Sequence, residues 1–495
     1  MNTRFYISII NIFLVFSVFA QDKSINGIVI DSETQEVLPF TNIGVVGKNQ
    51  GTVSNSEGYF TLSVEEIAEH DSIYISYVGY IQQKLSVADL KKNSTIILKK
   101  NAIVLSDFVV SSRQYTPEEI LDSLKANYDK NHTQDLVHQE VFSRDASTAT
   151  IHKSNLDYKK STFEAIDGRF VYEFNQSMPE QLNVYGEYMA DLYTNKKYWK
   201  LVPTVGQALV ENWNFDDEFN KRMAMLTDDL EDNVRSEDNY FKIRSGVFAG
   251  KLDFGSDSTF VMTEDSTHLI GSTKILRADL AYLIRTYGSL GSKRWDFFSD
   301  YRLYNYKLED VSIINNELAY IIKFSPRKRK GKYEGTICVS VNNFALLQVD
   351  YGFAEGKEGI GMSLLGVKYA VLNRSGRAIY EKGKDGYNLK YLSRESKERF
   401  GVDRTLSVMQ KQKKSGVDKT LQEVKVRLDL DVTYDQKKEL LVVSHRNISR
   451  AEFDSKSEPS TSKAVKVETY NPDIWKNSSI IEPTKAMKEY QQQYE

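Results

Sequence analysis

The sequence predicts a mainly β protein with α+β character: a compact N-terminal β unit, then a larger curved antiparallel β-meander with a few helices. Three observations carry that reading. Between Ile25 and Lys100, short β-branched or aromatic runs recur at close spacing, separated by turn residues. From Tyr301 onward, alternating runs follow one another with short polar breaks between them. Helical periodicity is confined to stretches near Ile120, Phe219 and Leu280.

The chain opens on a different composition. Arg4 precedes an apolar run from Ile7 to Phe19, and Val18 and Ala20 place small residues three and one before Gln21. This predicts a secretory signal peptide over residues 1–20, cleaved between Ala20 and Gln21. A retained membrane anchor is the alternative, but the run is shorter than the ~20 residues a span needs. No cysteine stands near the cleavage point to carry a lipid. The one cysteine, Cys338, excludes an internal disulfide framework and reads as a structural thiol on a strand.

The β unit is assigned to residues 21–100. In "GTVSNSEGYFTLSV", Asn55 initiates a tight turn and Gly58 takes a positive φ, so that Phe60, Leu62 and Val64 face inward. Tyr59, Thr61 and Ser63 face outward, and Gly79 marks a bulge or a close backbone contact. A linker over 101–115 leads to a helix over 117–130. Thr116 and Glu119 form its capping box, Pro117 takes its first position, and Ile120, Leu121, Leu124 and Tyr128 make one stripe.

The larger α+β region is assigned to 116–450. Further helices are expected from Asp216 to Asp232 and from Lys274 to Tyr287, the second closed by Gly288. Asn315-Asn316, Asn342-Asn343 and Ser375-Gly376 read as hairpin turns. Val424, Val426, Leu428, Leu430 and Val432 share one strand face. Residues 451–495 read as a loosely ordered tail. A membrane barrel is disfavoured by uneven strand lengths and interrupting helices.

With 495 residues, 41% of them hydrophobic, the chain can build two or three cores. A formal charge of −3 gives no concentrated basic face for nucleic acid. The basic run Arg327-Lys328-Arg329-Lys330, with Lys332, reads as a solvated hairpin loop, with an anionic partner or lipid surface as the alternative. His138 and Glu140 share a strand face but lack a third ligand. Asp429, Asp431 and Asp435 lie on an alternating strand without a glycine-hinged loop and read as a solvated face. "GIGMSLLG" lacks the third glycine of a dinucleotide fingerprint. Tyr301, Tyr304, Tyr306, Tyr198 and Trp199 are candidates for a glycan or peptide groove, although strand cores use the same residues. No catalytic constellation, metal set or cofactor motif emerges.

The segment from Gly27 to Tyr80 resembles the carboxypeptidase-like regulatory domain. That is a seven-stranded prealbumin-like β-sandwich at the start of many exported proteins of two-membraned bacteria, including TonB-dependent outer-membrane transporters. The landmarks are Gly27, Val29 and Asp31; Leu38-Pro39-Phe40 with Asn42; Gly51-Thr52; Gly58 with Phe60; and Ser76-Tyr77-Val78-Gly79-Tyr80. "SNSEG" departs from the Thr-Asp usual before the glycine turn, and the departure touches a turn hydrogen bond only. "AIVLSDFVVSS", Ala102 to Ser112, resembles the TonB-contacting segment that follows this domain in transporters. The later segments look like the uncharacterised portion of exported proteins carrying the domain, which suggests a curved sheet similar to lipoprotein-carrier folds.

The expectation is an exported, non-enzymatic protein of the periplasm or outer membrane. Its sandwich would be a docking or spacer module, and its β domain would bind an envelope protein, a lipid or a glycan. The alternatives are a periplasmic hydrolase acting on peptide or glycan through His138, Glu140 or other acids, and an accessory to a TonB-dependent transporter acting through Ile103 to Val110.

Overall fold

The computed structural model describes residues 24–101, 115–210, 239–252 and 272–490, apart from 49, 66, 133, 134, 196, 247, 292, 293, 414–416 and 477, together with 221, 222 and 225. The expected signal peptide with Ala20 and Gln21, the stretch 102–112 and most of the helix expected over 216–232 lie outside the described residues.

Seven strands open the described chain: β1 (Ser24–Asp31), β2 (Asn42–Val45), β3 (Gly51–Val53), β4 (Tyr59–Ser63), β5 (Ser72–Ser76), β6 (Gln83–Ser86) and β7 (Thr95–Leu98). They form two sheets, ordered β4-β1-β7 and β3-β2-β5-β6. Val29, Ile43, Phe60, Leu62, Ile73 and Ile75 fill the space between them. A short helix, α1 (Val87–Lys92), precedes β7 and is held by a capping box between Ser86 and Asp89.

The landmark residues fall at points of constraint. Gly58 has φ +79° and closes the turn that Asn55 builds. Asn55 Oδ1 accepts from the Glu57 and Tyr59 amides at 2.9 and 3.0 Å. At Gly27 a Cβ would lie 2.3 Å from the Ser94 carbonyl oxygen and 2.5 Å from Phe60, so the side chain must be absent. Gly51 starts β3 opposite Gly44, and the Gly79 carbonyl accepts from the Asn101 amide at 2.8 Å.

The larger region begins with α2 (Pro117–His132), whose predicted capping box is present: the Glu119 amide donates to Thr116 Oγ1 at 3.2 Å and the Thr116 amide to Glu119 Oε2 at 2.9 Å. There follow β8 (Val137–Ser161), α3 (Gly168–Ser177), β9 (Gln181–Thr194) and β10 (Trp199–Val210). A hairpin, β11 (Asn239–Ser245) and β12 (Phe248–Leu252), comes next, then α4 (Thr273–Tyr287) and a short turn, α5 (Asp296–Ser299). The meander continues through β13 (Tyr304–Ile314), β14 (Glu317–Pro326), β15 (Tyr333–Ser340) and β16 (Leu346–Phe353). It ends with β17 (Gly361–Leu364), β18 (Val367–Lys382), β19 (Tyr387–Gln412), β20 (Lys419–Asn447) and β21 (Ala464–Val467).

All these strands join one sheet. Its order is β13-β14-β15-β16-β18-β19-β20-β8-β9-β10-β21, with β17 on β18 and the β11–β12 hairpin on β19. Among the described residues β13 and β21 do not pair, so the sheet is open. On one face, Leu392, Leu440 and Val442 meet α2, α4 and α5 through Ile120, Leu121, Leu283, Tyr287 and Trp295. On the other face, Phe142, Tyr391 and Leu441 meet Val53 of the sandwich and the C-terminal segment.

Two readings of turns need correction. Asn315 and Asn316 do form a two-residue hairpin turn, with φ +50° and +64°, the left-handed pair that matches strand twist. Asn342-Asn343 belongs to a longer turn in which Phe344 takes the positive φ. Ser375-Gly376 is no turn at all and lies inside β18. The glycine is there because the Tyr351 hydroxyl occupies its face, 2.5 Å from where a Cβ would stand.

The expected loose tail is also corrected. Residues 450–455 form a helix capped by Ser449, and β21 pairs in parallel with β10. Trp475, Ile480, Ile481 and Met487 are buried. Few apolar residues are involved and they follow no period, but each fills a gap between sandwich and sheet.

Candidate functional site

The sheet continues well past the helices, and its two faces there differ in chemistry. Residues paired across neighbouring strands share a face. One row runs Met362–Tyr369–Phe400–Val432 and the next Leu364–Val367–Val402–Leu430. Further out, Leu428 pairs with Leu156, and Leu406 with Val426. This is the face that α2 and α4 cover nearer the core. Helix α3 covers part of its outer end, packing Phe170 and Val171 on Leu156 and Tyr158. Phe163 packs against Val424, Val408 and Val426.

Toward β17 the cover ends. Phe400, Met362 and Leu364 are 43%, 51% and 59% exposed. The reverse face is charged and internally paired: Lys153 with Asp429, Arg399 with Asp431, Arg427 with Asp403 at 3.0 Å and Lys397 with Asp435 at 3.2 Å. The three aspartates considered for calcium therefore hold cations of neighbouring strands. Among the described residues no group of three metal-binding side chains occurs.

A polar belt separates the apolar rows from the helix-packed core. Arg374 and Arg394 lie 3.6 and 3.5 Å from Glu398 Oε1, and the Tyr369 hydroxyl donates to Glu398 Oε2 at 2.7 Å. Lys438 bridges Asp279 of α4 and Asp145 at 2.6 and 3.1 Å. Burial works against the Lys438 ammonium, but the two aspartates outweigh it and raise its pKa.

A cleft of about 970 Å³ lies elsewhere, between sandwich and sheet, with Lys48, Tyr74, Glu317, Glu381, Lys382 and His445 in its wall. Its floor is a buried network. Asn42 Nδ2 donates to Asn315 Oδ1 at 2.9 Å, the Asn315 amide to Ser76 Oγ at 3.0 Å, and the Tyr74 hydroxyl to Glu381. Burial and the Glu381 carboxylate raise the Tyr74 phenol far above its usual range, so it stays a donor. Glu317 accepts from Tyr387 at 2.8 Å and Ser340 at 2.7 Å. Every acid in this floor thus has a structural partner.

Other candidates disperse. His138 Nε2 lies 2.7 Å from Asp191 and the ring stacks on Tyr193, while Glu140 accepts from Ser444 at 3.4 Å. Tyr304 and Tyr306 belong to the core, bonded to Asp296 and the Phe297 carbonyl, whereas Tyr198 is exposed. Cys338 is fully buried, and burial pushes its thiol up. Pro39 and Phe40 sit on the sheet: Arg377 Nη1 donates to the Phe40 carbonyl at 3.2 Å, and Phe40 stacks on Tyr391. Asn55 has a second role unseen in sequence, donating to the Pro483 carbonyl at 3.3 Å.

Two histidines make stability depend on pH. His132 Nε2 accepts from the Leu346 amide at 3.1 Å, and burial lowers its pKa to about 4. Burial likewise lowers His445 to about 4, Asp385 opposing. Both values lie below the unfolded 6.5, so the unfolded chain takes up protons first as pH falls. The contribution is complete above pH 6.5 and drains away toward pH 4. Urea midpoints are expected to fall steadily across that window, and His132→Gln, which keeps an acceptor, to flatten the slope.

Residues 25–110 match the model of the CarboxypepD_reg-like domain. Over this N-terminal region the chain is 35% identical to the TonB-dependent receptor SusC of Bacteroides thetaiotaomicron across 102 residues, 21% of this chain and 10% of that protein. It is 30% identical to the TonB-dependent receptor P3 of Formosa agariphila across 91 residues, 18% and 9% respectively. The chain thus spans about a tenth of the length of these relatives. Among solved structures, a lipovitellin aligns with 66% of this chain and 27% of its own at 7% identity, TM-score 0.22. MucB in complex with periplasmic MucA aligns with 68% and 100% at 8% identity, TM-score 0.17. Neither likeness carries weight for this fold. The CarboxypepD_reg-like domain contains Gly27, Pro39, Gly51, Asn55, Gly58, Phe60 and Gly79; Pro39 also contacts Arg377 of the large sheet, and Asn55 the C-terminal segment at Pro483.

Proposed function

We propose that this is an exported, non-enzymatic envelope protein whose CarboxypepD_reg-like domain is a fixed docking module and whose large sheet binds an apolar ligand or partner. One observation carries the reading: an apolar face on which Met362, Leu364 and Phe400 are exposed and Tyr369, Val432 and Leu430 half-buried, backed by a face whose charges are paired. Contiguous exposed apolar surface of this kind marks binding sites. Similarity to TonB-dependent receptors supports an envelope address.

The test uses a monomeric fluorescent fatty acid in vesicle-free buffer. Saturable binding is expected, weakened at least tenfold by Phe400→Glu combined with Leu430→Glu, with circular dichroism unchanged. Absence of saturable binding would count against a lipidic ligand. Cleavage of peptide or glycan by the purified chain would overturn the non-enzymatic reading. The receptor similarity favours a second reading, an accessory to an outer-membrane transporter that engages TonB through Ile103 to Val110. Deleting that stretch should then abolish a TonB pull-down.

A further inference from the structure

The basic run and the exposed end of the sheet, far apart in sequence, meet in space. The turn after β14 carries Arg327, Lys328, Arg329 and Lys330, all exposed. Among the described residues, none of these four side chains is in an ion pair. The turn is tied to the segment before β17 by four contacts, one of them from Lys332 Nζ to the Glu358 carbonyl. Lys332 Nζ donates to the Gly359 carbonyl at 2.8 Å, Lys357 Nζ to the Arg329 carbonyl at 3.4 Å, and the Ala354 amide to the Lys332 carbonyl at 2.9 Å. Six cations, Arg327 to Lys330 with Lys332 and Lys357, therefore cluster here; the acids near them include Glu355, Glu358 and Asp300, the last of which is paired with Arg302.

Immediately beyond, residues 360–366 are exposed without a break. Ile360, Met362 and Leu364 alternate with Gly361 and Ser363, so three aliphatic side chains leave the strand on one side. Leu365 stands at the turn into β18. Ile360 is 70% and Leu365 55% exposed. Leu365 and Gly366 take φ +51° and +79°, which fixes a two-residue hairpin with an aliphatic residue where turns normally carry Asn or Asp. β17 is an edge strand with β18 as its partner, and such edges are ordinarily guarded by charge. This one presents four aliphatic side chains.

We propose that this corner is a docking site for an anionic lipid bilayer surface: the Arg327–Lys332 turn lies against the headgroups while Ile360, Met362, Leu364 and Leu365 enter the interface. Charge complementarity favours a membrane over a second copy of the chain, since the cationic turns of two copies would face one another. The combination of a basic patch with a small aliphatic insertion is what reversible interfacial binding requires, because neither term alone holds a protein. Gly361 and Ser363 add little bulk on the other side of the strand, which lets the hairpin approach the headgroups closely. Met362 and Leu364 also border the sheet face around Phe400 and Leu430, whereas the basic turn, Ile360 and Leu365 stand outside its rows.

The test is co-sedimentation of the chain from Gln21 onward, so that the apolar run of residues 1–20 cannot bind, with vesicles of phosphatidylglycerol in phosphatidylcholine or of phosphatidylcholine alone. Binding to the anionic vesicles is expected, falling as salt rises from 50 to 300 mM, with at least tenfold weaker binding to neutral ones. Each basic residue near such a surface contributes roughly fivefold. Replacing Arg327, Lys328, Arg329 and Lys330 together by Glu is therefore expected to weaken binding more than tenfold. Replacing Ile360 and Leu365, which lie outside the rows of the proposed ligand face, by Ser should weaken vesicle binding without altering fatty-acid binding at Phe400. Leu365→Cys, labelled with a polarity-sensitive dye while Cys338 is buried, should shift to the blue on anionic vesicles. Equal binding to both vesicle types, no loss in the Glu variant, or an unshifted dye would each overturn the proposal. Capture of an acidic protein with no vesicle binding would also overturn it.

Discussion

Arg144→Ala is expected to cost about 3–5 kcal/mol of stability, because it removes the cation from a fully enclosed charge row. Glu439, Arg144 and Glu187 stand side by side on β20, β8 and β9. Arg144 Nε donates to Glu187 at 2.6 Å, and Nη2 and Nη1 donate to the carbonyls of Ile481 and Glu482 at 2.6 and 3.2 Å. Burial opposes ionisation of Glu439, but Lys437 and Arg144 outweigh it and hold the carboxyl below its usual value. Taking Arg144 away leaves two buried carboxylates facing one another and strands two carbonyls of the C-terminal segment. Trp475, whose Nε1 donates to Glu187 at 3.1 Å, supplies the fluorescence readout. Adding Glu187→Gln to the alanine variant should restore part of the loss. A single-variant loss under 1 kcal/mol would mean that the row tolerates an uncompensated charge.

Truncation after Lys456 is expected to be more severe still. It strips Trp475, Ile480, Ile481 and Met487 from Phe142, Tyr391, Leu441 and Val53. Each buried side chain of this size contributes about 1.5–3 kcal/mol, and the sum rivals the ~5–15 kcal/mol net stability of a typical domain. The Thr52 hydroxyl loses its acceptor at the Ile480 carbonyl, 2.9 Å away, and Thr61 loses Glu482. Soluble yield should collapse, and brief proteolysis should release the sandwich by cleavage between 102 and 114. A soluble truncated chain with an uncut linker would show that sandwich and sheet hold together unaided.

What the sequence disclosed follows what local physics controls. The Thr116–Glu119 box, the Asn55 turn and the Phe60, Leu62, Val64 alternation depend on residues a few positions apart, and each was legible. So was the face of Val424 to Val432, since alternation within one strand suffices to define it. The apolar face as a whole was not, because Met362, Tyr369, Phe400 and Val432 come together only through register across four strands. Gly376 misled for a related reason. A glycine between two apolar runs looks like a turn, and only Tyr351 on a neighbouring strand explains it as clearance. Ser455 to Lys466 is rich in Ser and Lys, while irregularly placed apolar side chains beyond it, Trp475, Ile480, Ile481 and Met487 among them, decide the structure.

The contacts between Thr61 and residues 480–482 join positions more than four hundred residues apart. Such closure orders events in time. A chain delivered from its N-terminus can complete the sandwich early, since its seven strands are local, yet the mortar that seats it arrives with the final stretch. Until then Val53 and the outer side of β4 remain bare, as does the face of Phe142 and Tyr391. A sandwich completed before residues 480–482 are available is therefore seated late, and the faces of Val53, Phe142 and Tyr391 are among the last to be covered.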